Sequence, residues 1–359
     1  MKKIASAVGL SLFASLAHAQ SSVQLYGLID VGVEYLNHAG PGNASVTRMI
    51  GGNMAGSRWG LRGSEDLGGG TSAIFTLEAG FRPGTGASEI GGQSGRLFGR
   101  VATVGLQGGF GTLTLGRQAI VLNDVMFNYD PMAFSLYGLA TLDGKFFGRV
   151  DNSIKYVSPV LHGVSASGYY TFGSDTVNGQ GQVPGDAKVG RAFGLSVQYA
   201  AGPLGVAAVY DEAYPTTIAL TNAGNVDKRL AVAGSYTFGA LKAFLGYERH
   251  NETVAGTDGV LSNLYWTGLA YQVNPFLRLT GAAYDNEIVG TSAHPTSFVL
   301  NADYFLSKST DVYASVSFVK NRTDGNTSSD AAVTGGADAL PPGPGVDQTG
   351  AVVGIRHRF

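Results

Sequence analysis

The chain has 359 residues, no cysteine and a formal net charge of −2. The lack of cysteine excludes a disulfide framework and thiolate chemistry, and the weakly acidic balance lacks the basic footprint of nucleic-acid-binding proteins. Glycine supplies 54 residues, about twice its average usage, and no run of ~18 apolar residues predicts a transmembrane helix. This composition favours a single large β-architecture.

Residues 1–19 have the features of a secretory signal peptide. Two lysines form a positive segment, a short apolar run follows, and Ala17-His18-Ala19 supplies a cleavage pattern. We predict that the mature protein begins at Gln20 and forms one domain over residues 20–359. Its charge would then be −4, from 22 basic and 26 acidic residues.

Apolar and polar residues alternate along most of the chain. The alternation runs for fourteen residues from Val23 to Leu36, which is longer than a typical soluble strand. Asp30 and Glu34 share one face there, and we predict that this face is wet. Sixteen such stretches are predicted strands: Val23–Leu36, Gly56–Ser64, Thr71–Phe81, Arg96–Gln107, Phe110–Arg117, Arg149–Ser158, Gly163–Gly173, Gly190–Ala200, Pro203–Glu212, Lys228–Phe238, Leu241–Tyr247, Val260–Val273, Pro275–Asn286, Phe298–Leu306, Val312–Phe318 and Thr349–Phe359.

Short and long connections alternate between these stretches. Seven are tight turns rich in Gly, Pro or small polar residues; the eight long ones are residues 37–55, 82–95, 119–148, 174–189, 213–227, 251–259, 287–295 and 321–348. No helix or second sheet remains to cover the apolar face, so lipid must cover it, which requires a closed sheet. The sequence therefore predicts an all-β fold, a 16-stranded antiparallel up-and-down transmembrane β-barrel.

The thirty residues Ala119–Gly148 form the third long connection and are unusually rich in aromatic and charged side chains. They carry six aromatic residues and the acids Asp124, Asp130 and Asp143. A long structureless loop in a compact domain is uncommon unless it is functional, and a barrel of sixteen strands is too wide for side chains to fill. We predict that this loop folds inward and narrows a water-filled lumen.

Several ordered motifs resemble the general porins of Gram-negative outer membranes, β-proteobacterial type. They are Val23–Gly27, Ser57–Gly68, Phe110–Gln118, Arg149–Tyr156 and the terminal Phe359. The resemblance implies a homotrimer in the cell outer membrane, surrounded by lipid and lipopolysaccharide, that passes small hydrophilic solutes and ions by passive diffusion. It also implies a third loop inside the pore, and a terminal Phe359 that the outer-membrane assembly machinery reads as its signal.

Charged residues at the constriction are expected to set selectivity, as in other pores. Strand parity puts Arg58, Arg62 and Arg100 in the lumen, and Arg149 opens the strand after the loop. The resemblance places the family's wall arginines at Arg58, Arg100 and Arg149. We expect Asp124, Asp130 or Asp143 to face them; which acid does so, and whether anions or cations are preferred, stays open.

Other functions find less support in the sequence. No metal spacing of histidines and no Gly-x-Ser-x-Gly motif is present, so we expect no metal, cofactor or enzymatic activity. Two alternatives remain: a substrate-specific channel of the same fold, with a saturable site formed by aromatic residues such as Tyr129, Phe134 and Tyr137, and an outer-membrane enzyme or adhesin on a barrel scaffold. Ala331–Pro344 is predicted to be a mobile outer loop.

Overall fold

The computed structural model describes residues 22–89, 96–174, 181–254, 257–322, 331–335 and 338–359. The predicted signal peptide, residues 1–19, lies outside the described residues. Within the described ranges, no helix has the length and apolar character needed to cross a membrane.

One antiparallel sheet holds all the strands of the described residues. They are β1 (Ser22–Ala39), β2 (Ala44–Gly51), β3 (Arg58–Gly68), β4 (Thr71–Gly80), β5 (Val101–Gly108), β6 (Gly111–Ala119), β7 (Arg149–Val157), β8 (Val164–Thr171), β9 (Ala192–Ala201), β10 (Leu204–Ala213), β11 (Val226–Phe238), β12 (Leu241–Val254), β13 (Thr257–Asn274), β14 (Leu277–Ile288), β15 (Thr296–Phe305), β16 (Thr310–Lys320) and β17 (Gln348–Arg358). Two short helices, α1 (Val121–Met126) and α2 (Ile218–Asn222), lie in connections.

The sheet closes on itself at β1. One edge of β1 pairs with β17, and the other pairs with β2 along its second half and with β3 along its first half. β2 and β3 are therefore two parts of one barrel strand, interrupted at residues 52–57. All other strands pair with their neighbours in sequence, so the protein is a closed 16-stranded up-and-down barrel, as predicted.

The outer surface of the barrel is apolar. On β1 the alternate residues Val23, Leu25, Ile29 and Val33 are exposed, and Leu300 on β15 is 69% exposed. Such surface would be unfavourable in water but is satisfied by hydrocarbon, since every strand edge is paired. The sequence parity was thus correct for this strand, and it identifies the opposite face as the lumen.

Two long loops predicted from the sequence are largely strand. β1 continues to Ala39 and pairs with β2, which leaves a tight tip at residues 40–43 and the segment 52–55 outside strands within the predicted loop 37–55. β12 likewise runs to Val254 and β13 starts at Thr257, so most of the predicted loop 251–259 is a hairpin. These extensions carry polar residues, so hydrophobic alternation does not mark them. The seven tight turns lie where they were predicted.

Asp30 and Glu34 face the lumen but are fully buried, so the prediction that they are wet is wrong. Asp30 accepts hydrogen bonds from the backbone N–H groups of Met54 and Ala55 at 2.7 and 2.9 Å and from the Tyr313 hydroxyl. Buried carboxylates are tolerated when such donors satisfy them. The residues between β2 and β3 therefore pack inward across β1.

Residues 331–335, which belong to the stretch Ala331–Pro344 that was predicted to be a mobile outer loop, pack inward. Ala331, Val333 and Thr334 are buried, and the Thr334 hydroxyl donates to Glu34 Oε1 at 2.5 Å. The Gly335 N–H donates to the carbonyl of Leu136 at 2.9 Å. Residues 331–335 therefore pack against the 119–148 loop inside the barrel.

Candidate functional site

The connection Ala119–Gly148 begins and ends where predicted, because β6 ends at Ala119 and β7 begins at Arg149. It contains α1 and two short 3-10 turns, Leu139–Thr141 and Gly144–Phe147. Its buried side chains form the centre of the hydrophobic core of the protein: Val121, Leu122, Val125, Met126, Tyr129, Met132, Phe134, Tyr137, Leu139 and Phe146. A loop with a packed core of its own presents a rigid surface to the lumen.

The loop crosses the lumen to the opposite wall. The indole N–H of Trp266 on β13 donates to the carbonyl of Tyr129 at 3.0 Å, and the Tyr284 hydroxyl on β14 donates to Asp130 Oδ1 at 2.6 Å. β14 lies seven strands from β7 around the ring, which is almost the full diameter. These bonds hold the loop inside the barrel, as the sequence predicted.

Asp130 anchors the fold of the loop itself. Besides Tyr284, its carboxylate accepts from the backbone N–H groups of Met132, Phe134 and Leu139 at 3.2, 2.8 and 3.3 Å. Burial raises the pKa of Asp130, and these donors oppose that rise. Because the side chain is buried and its oxygens are already bonded, Asp130 shapes the loop.

Asp143 fastens the end of the loop to β11. The Arg229 guanidinium donates to both Asp143 oxygens, at 2.6 and 3.2 Å, and also to Asp227 at 2.5 Å. Burial alone would raise the pKa of Asp143, but Arg229 outweighs it and holds that pKa below its ordinary value. Asp124, at the start of the loop, accepts from Lys155 Nζ on β7 at 2.7 Å.

Arg58, Arg100 and Arg149, the three arginines expected at the wall of the constriction, lie close together at the loop ends of β3, β5 and β7. All three line one cavity of about 250 Å³ next to the loop. Glu78 on β4 accepts from Arg100 Nε at 2.6 Å and lies 3.5 Å from Arg58 Nε. Arg149 donates to the carbonyl of Phe147 at 3.0 Å.

Phenylalanine, rather than carboxylate, covers the loop side of this cavity. Phe127, Phe134 and Phe147 line it, and the Phe134 ring lies 5.7 Å from the Phe127 ring and 6.1 Å from the Phe147 ring. In the described residues, the ion pairs of Asp124 and Asp143 are made with Lys155 and Arg229, not with the three arginines. We expected an acid of the loop to face Arg58, Arg100 and Arg149, and neither of these two ion pairs does so.

Two carboxylates from other connections also line the cavity, Glu89 and Asp338. Arg82 pairs with both of them, at 3.3 Å in each case. Within this group Arg58, Arg82, Arg100 and Arg149 stand against Glu78, Glu89 and Asp338, a net charge of +1. The cavity therefore keeps an excess of positive charge.

Arg62 and Phe359 occupy separate places. Arg62 follows Arg58 by four residues on β3, donates to Gln24 Oε1 at 2.7 and 2.9 Å and lies over the Tyr26 ring at 5.1 Å. Arg62 is not among the residues lining the cavity of the other three arginines. Phe359 closes the barrel, since it exchanges two backbone hydrogen bonds with Gly27, at 2.9 and 3.0 Å.

Glu78, Trp266 and Tyr284 were not predicted as site residues. Glu78 and Gly80 both lie on the lumen face of β4, and Gly80 pairs with Arg58 in the strand register. Cross-strand pairing would therefore have identified Glu78 as a neighbour of Arg58. Trp266 and Tyr284 carried no comparable signal. Among the described residues, no group of three His, Cys, Asp or Glu side chains is placed to hold a metal.

A closed barrel with an apolar exterior, a loop packed across its lumen and an arginine-lined constriction defines a porin-type channel. The chain belongs to the Gram-negative porin family, whose model matches residues 5–324. It is 32% identical to an outer membrane porin protein of Bordetella pertussis and 32% identical to outer membrane porin protein 32 of Delftia acidovorans, over the full length of each chain.

A solved structure agrees with this assignment. The structure of an anion-selective porin from Comamonas acidovorans superposes with a TM-score of 0.81 at 28% identity, covering 94% of this chain and 100% of that one. OmpT of Vibrio cholerae shares the fold, with a TM-score of 0.68 at 15% identity. The protein is therefore a multi-pass β-barrel of the outer membrane and a channel for passive diffusion of small solutes.

Proposed function

We propose that this channel prefers anions and that Arg58, Arg100 and Arg149 form its selective constriction. The observation that carries the proposal is the opposite face of the cavity, where phenylalanine side chains stand and the loop acids do not. A permeating anion meets a net positive group of side chains, and no acid of the 119–148 loop lines the cavity. The similar porin from Comamonas acidovorans is described as anion-selective, which supports the same sign here.

Reversal potentials across a planar bilayer under a KCl gradient test this proposal. A unit charge about 4 Å from an ion in water is worth about 1 kcal/mol, or roughly a fivefold change in permeability ratio. We expect the wild-type channel to favour chloride and Arg58→Ala or Arg149→Ala to shift the ratio toward potassium by up to that factor. A wild-type preference for potassium would contradict the proposal.

Arg249→Ala is the matched control for these variants. Arg249 is exposed on β12, four residues from Leu245, which is itself exposed on the outer face. It donates to the Asn263 side chain at 3.0 Å. Because this arginine lies outside the lumen, its removal changes the net charge by the same amount without moving the reversal potential.

The other constituents of the site complete the proposal. Arg62 contributes positive charge on the lumen side nearer the tight turns, Asp143 holds the end of the loop in place, Asp124 pairs with Lys155 at the exposed start of the loop, and Phe359 acts as the assembly signal. We infer that the channel works as a homotrimer among outer-membrane lipid and lipopolysaccharide and performs no catalysis. Chemical cross-linking in outer-membrane vesicles, with three-chain products expected, tests the trimer.

A further inference from the structure

Phe127 stands in the open passage of the pore. Its side chain is 48% exposed, although it belongs to a loop whose other aromatic residues are mostly buried. It lines both the arginine cavity and a second cavity of about 340 Å³ that extends toward the tight turns. A phenylalanine at the junction of two cavities offers an apolar surface to a solute that enters either one.

The arginines across the cavity retain unused hydrogen-bond donors. Arg149 Nε is buried and has no acceptor within the part of the chain that the structure describes. Its NH1 group bonds only to a backbone carbonyl, whereas Arg58 and Arg100 share the single carboxylate of Glu78. Arg149 Nε has no surface that a solute can reach, so a solute carboxylate is received by the terminal NH2 groups of the guanidinium. A carboxylate is the group that fits guanidinium best.

We propose that the constriction binds aromatic monocarboxylates, with the carboxylate at Arg149 and Arg100 and the ring against Phe127 and Phe147. This inference rests on the proposed anion selectivity and specifies the class of anion. The cavity between the two surfaces, about 250 Å³, is a small slot with a cationic wall and an aromatic wall. A benzene ring prefers offset or edge contacts with such phenyl groups.

The charges at the rim of the cavity favour a single negative charge on the solute. Glu89 and Asp338 line the same cavity, and the single charge of Arg82 offsets only one of the two. A second carboxylate on the solute would approach these acids, and like charges at close range repel. An inorganic anion or a polyhydroxylated carboxylate would gain no contact from the phenylalanine surface. The geometry therefore favours binding of aromatic monoanions over that of dianions, inorganic anions and polyhydroxylated carboxylates.

Inhibition of the chloride current by organic anions tests the inference. Benzoate and gluconate are added to wild-type channels in a bilayer. Both are monocarboxylates, but benzoate carries an apolar phenyl ring and gluconate a polyhydroxylated chain. We expect benzoate to reduce the chloride current at a concentration at least several-fold lower than gluconate. We expect Phe127→Ala to weaken the benzoate effect by roughly two- to tenfold, the range for loss of one aromatic contact.

Phe298→Ala is the matched control, because Phe298 lies on β15 and is 51% exposed on the outer face of the barrel. Benzoate should inhibit this variant to the same extent as the wild type. Equal inhibition by benzoate and gluconate in a wild-type channel that does favour chloride overturns this inference alone. A wild-type channel without chloride preference overturns the proposed function instead. The wild-type comparison needs no variant, so it decides the matter even where Phe127→Ala fails to fold.

Discussion

Trp266 on β13 and Tyr129 in the loop are joined by one hydrogen bond, from the indole N–H to the backbone carbonyl oxygen, at 3.0 Å. The indole is buried and packs against Gly246 of β12, where a Cβ atom would lie 2.0 Å from Trp266 Cε2. The Phe146 ring contacts it edge-on, with ring centroids 6.1 Å apart. Trp266 therefore holds the loop at the far wall by one polar and one aromatic contact.

We expect Trp266→Phe to loosen the loop without unfolding the barrel. The ring contact is largely kept, but the Tyr129 carbonyl loses its donor, which costs about 1 kcal/mol. Single-channel recordings should show more frequent transient closures than the wild type. Trp59→Phe is the control, since Trp59 is the other tryptophan and lies partly exposed on β3. Equal closure rates in all three channels would refute the role of this bond.

Acid should loosen the other end of the loop. The pKa of Asp143 in the folded protein lies below its ordinary 3.8, so the ion pair with Arg229 stabilises the fold fully above pH 3.8. This contribution is lost as the pH falls through the lowered pKa. We expect current fluctuations to increase in the wild type below pH 3.8. In Asp143→Asn they should already be increased at neutral pH, with little further change on acidification.

A wild-type channel with equally quiet currents at neutral pH and well below pH 3.8 would contradict this account. Asp124→Asn serves as the control at neutral pH. Asp124 also pairs with a lumen cation, Lys155, but it lies at the opposite end of the loop and is exposed. Exposed ion pairs contribute little, so this variant should remain close to the wild type.

Glu78→Gln should increase the preference for anions. The substitution keeps the size of the side chain but removes the negative charge between Arg58 and Arg100. The chloride-to-potassium permeability ratio should rise, by up to about fivefold for a change of about 1 kcal/mol. The effect should be clearest at or below about 0.1 M salt, where the Debye length is about 10 Å or more.

The outer-face variant Glu287→Gln is the control for Glu78→Gln. Glu287 is exposed near the end of β14 and accepts from Asn263 at 3.0 Å, so its charge lies outside the lumen. A fall in the permeability ratio of Glu78→Gln would show that Glu78 orders the arginines more than it neutralises them. The proposed electrostatic role of Glu78 would then be wrong.

The sequence predicted the barrel well because alternation reports which face a residue occupies. That parity was sufficient to place Arg58 in the lumen, and the length and aromatic content of Ala119–Gly148 were sufficient to assign it as the inward loop. Parity was misleading for Arg100, which lies just before β5: Val104 and Leu106, at positions of the same parity, are on the exposed face of that strand, yet Arg100 reaches Glu78 inside the barrel. Parity does not report which side chains meet across the lumen. Asp143 meets Arg229, 86 residues away, and Asp130 meets Tyr284, 154 residues away; neither contact follows from local pattern. The phenylalanine surface opposite the arginines was missed for the same reason.

The strand extensions show a second limit. Polar residues follow Leu36 on β1 and Tyr247 on β12, so the hydrophobic signal stops before the hydrogen-bonded ladder does. Ala331–Pro344 was predicted to be a mobile outer loop because its composition is simple. Within it, residues 331–335 form hydrogen bonds with Glu34, Gln348 and the carbonyl of Leu136, which are partners from other parts of the chain.

Gly27→Ala should impair closure of the barrel. Gly27 exchanges two backbone hydrogen bonds with Phe359, and a Cβ atom at Gly27 would lie 2.3 Å from Phe359 Cζ and 2.8 Å from the Arg58 carbonyl oxygen. The ring can turn away, but the backbone carbonyl cannot without shifting the register of β1 and β3. Gly234→Ala is the control, because a Cβ there makes only ordinary contacts, at 3.5 Å. We expect a lower yield of folded barrel for Gly27→Ala alone, measured by heat-dependent mobility in gel electrophoresis. Equal yields for the two variants would show that the terminal phenylalanine does not need this glycine to close the sheet.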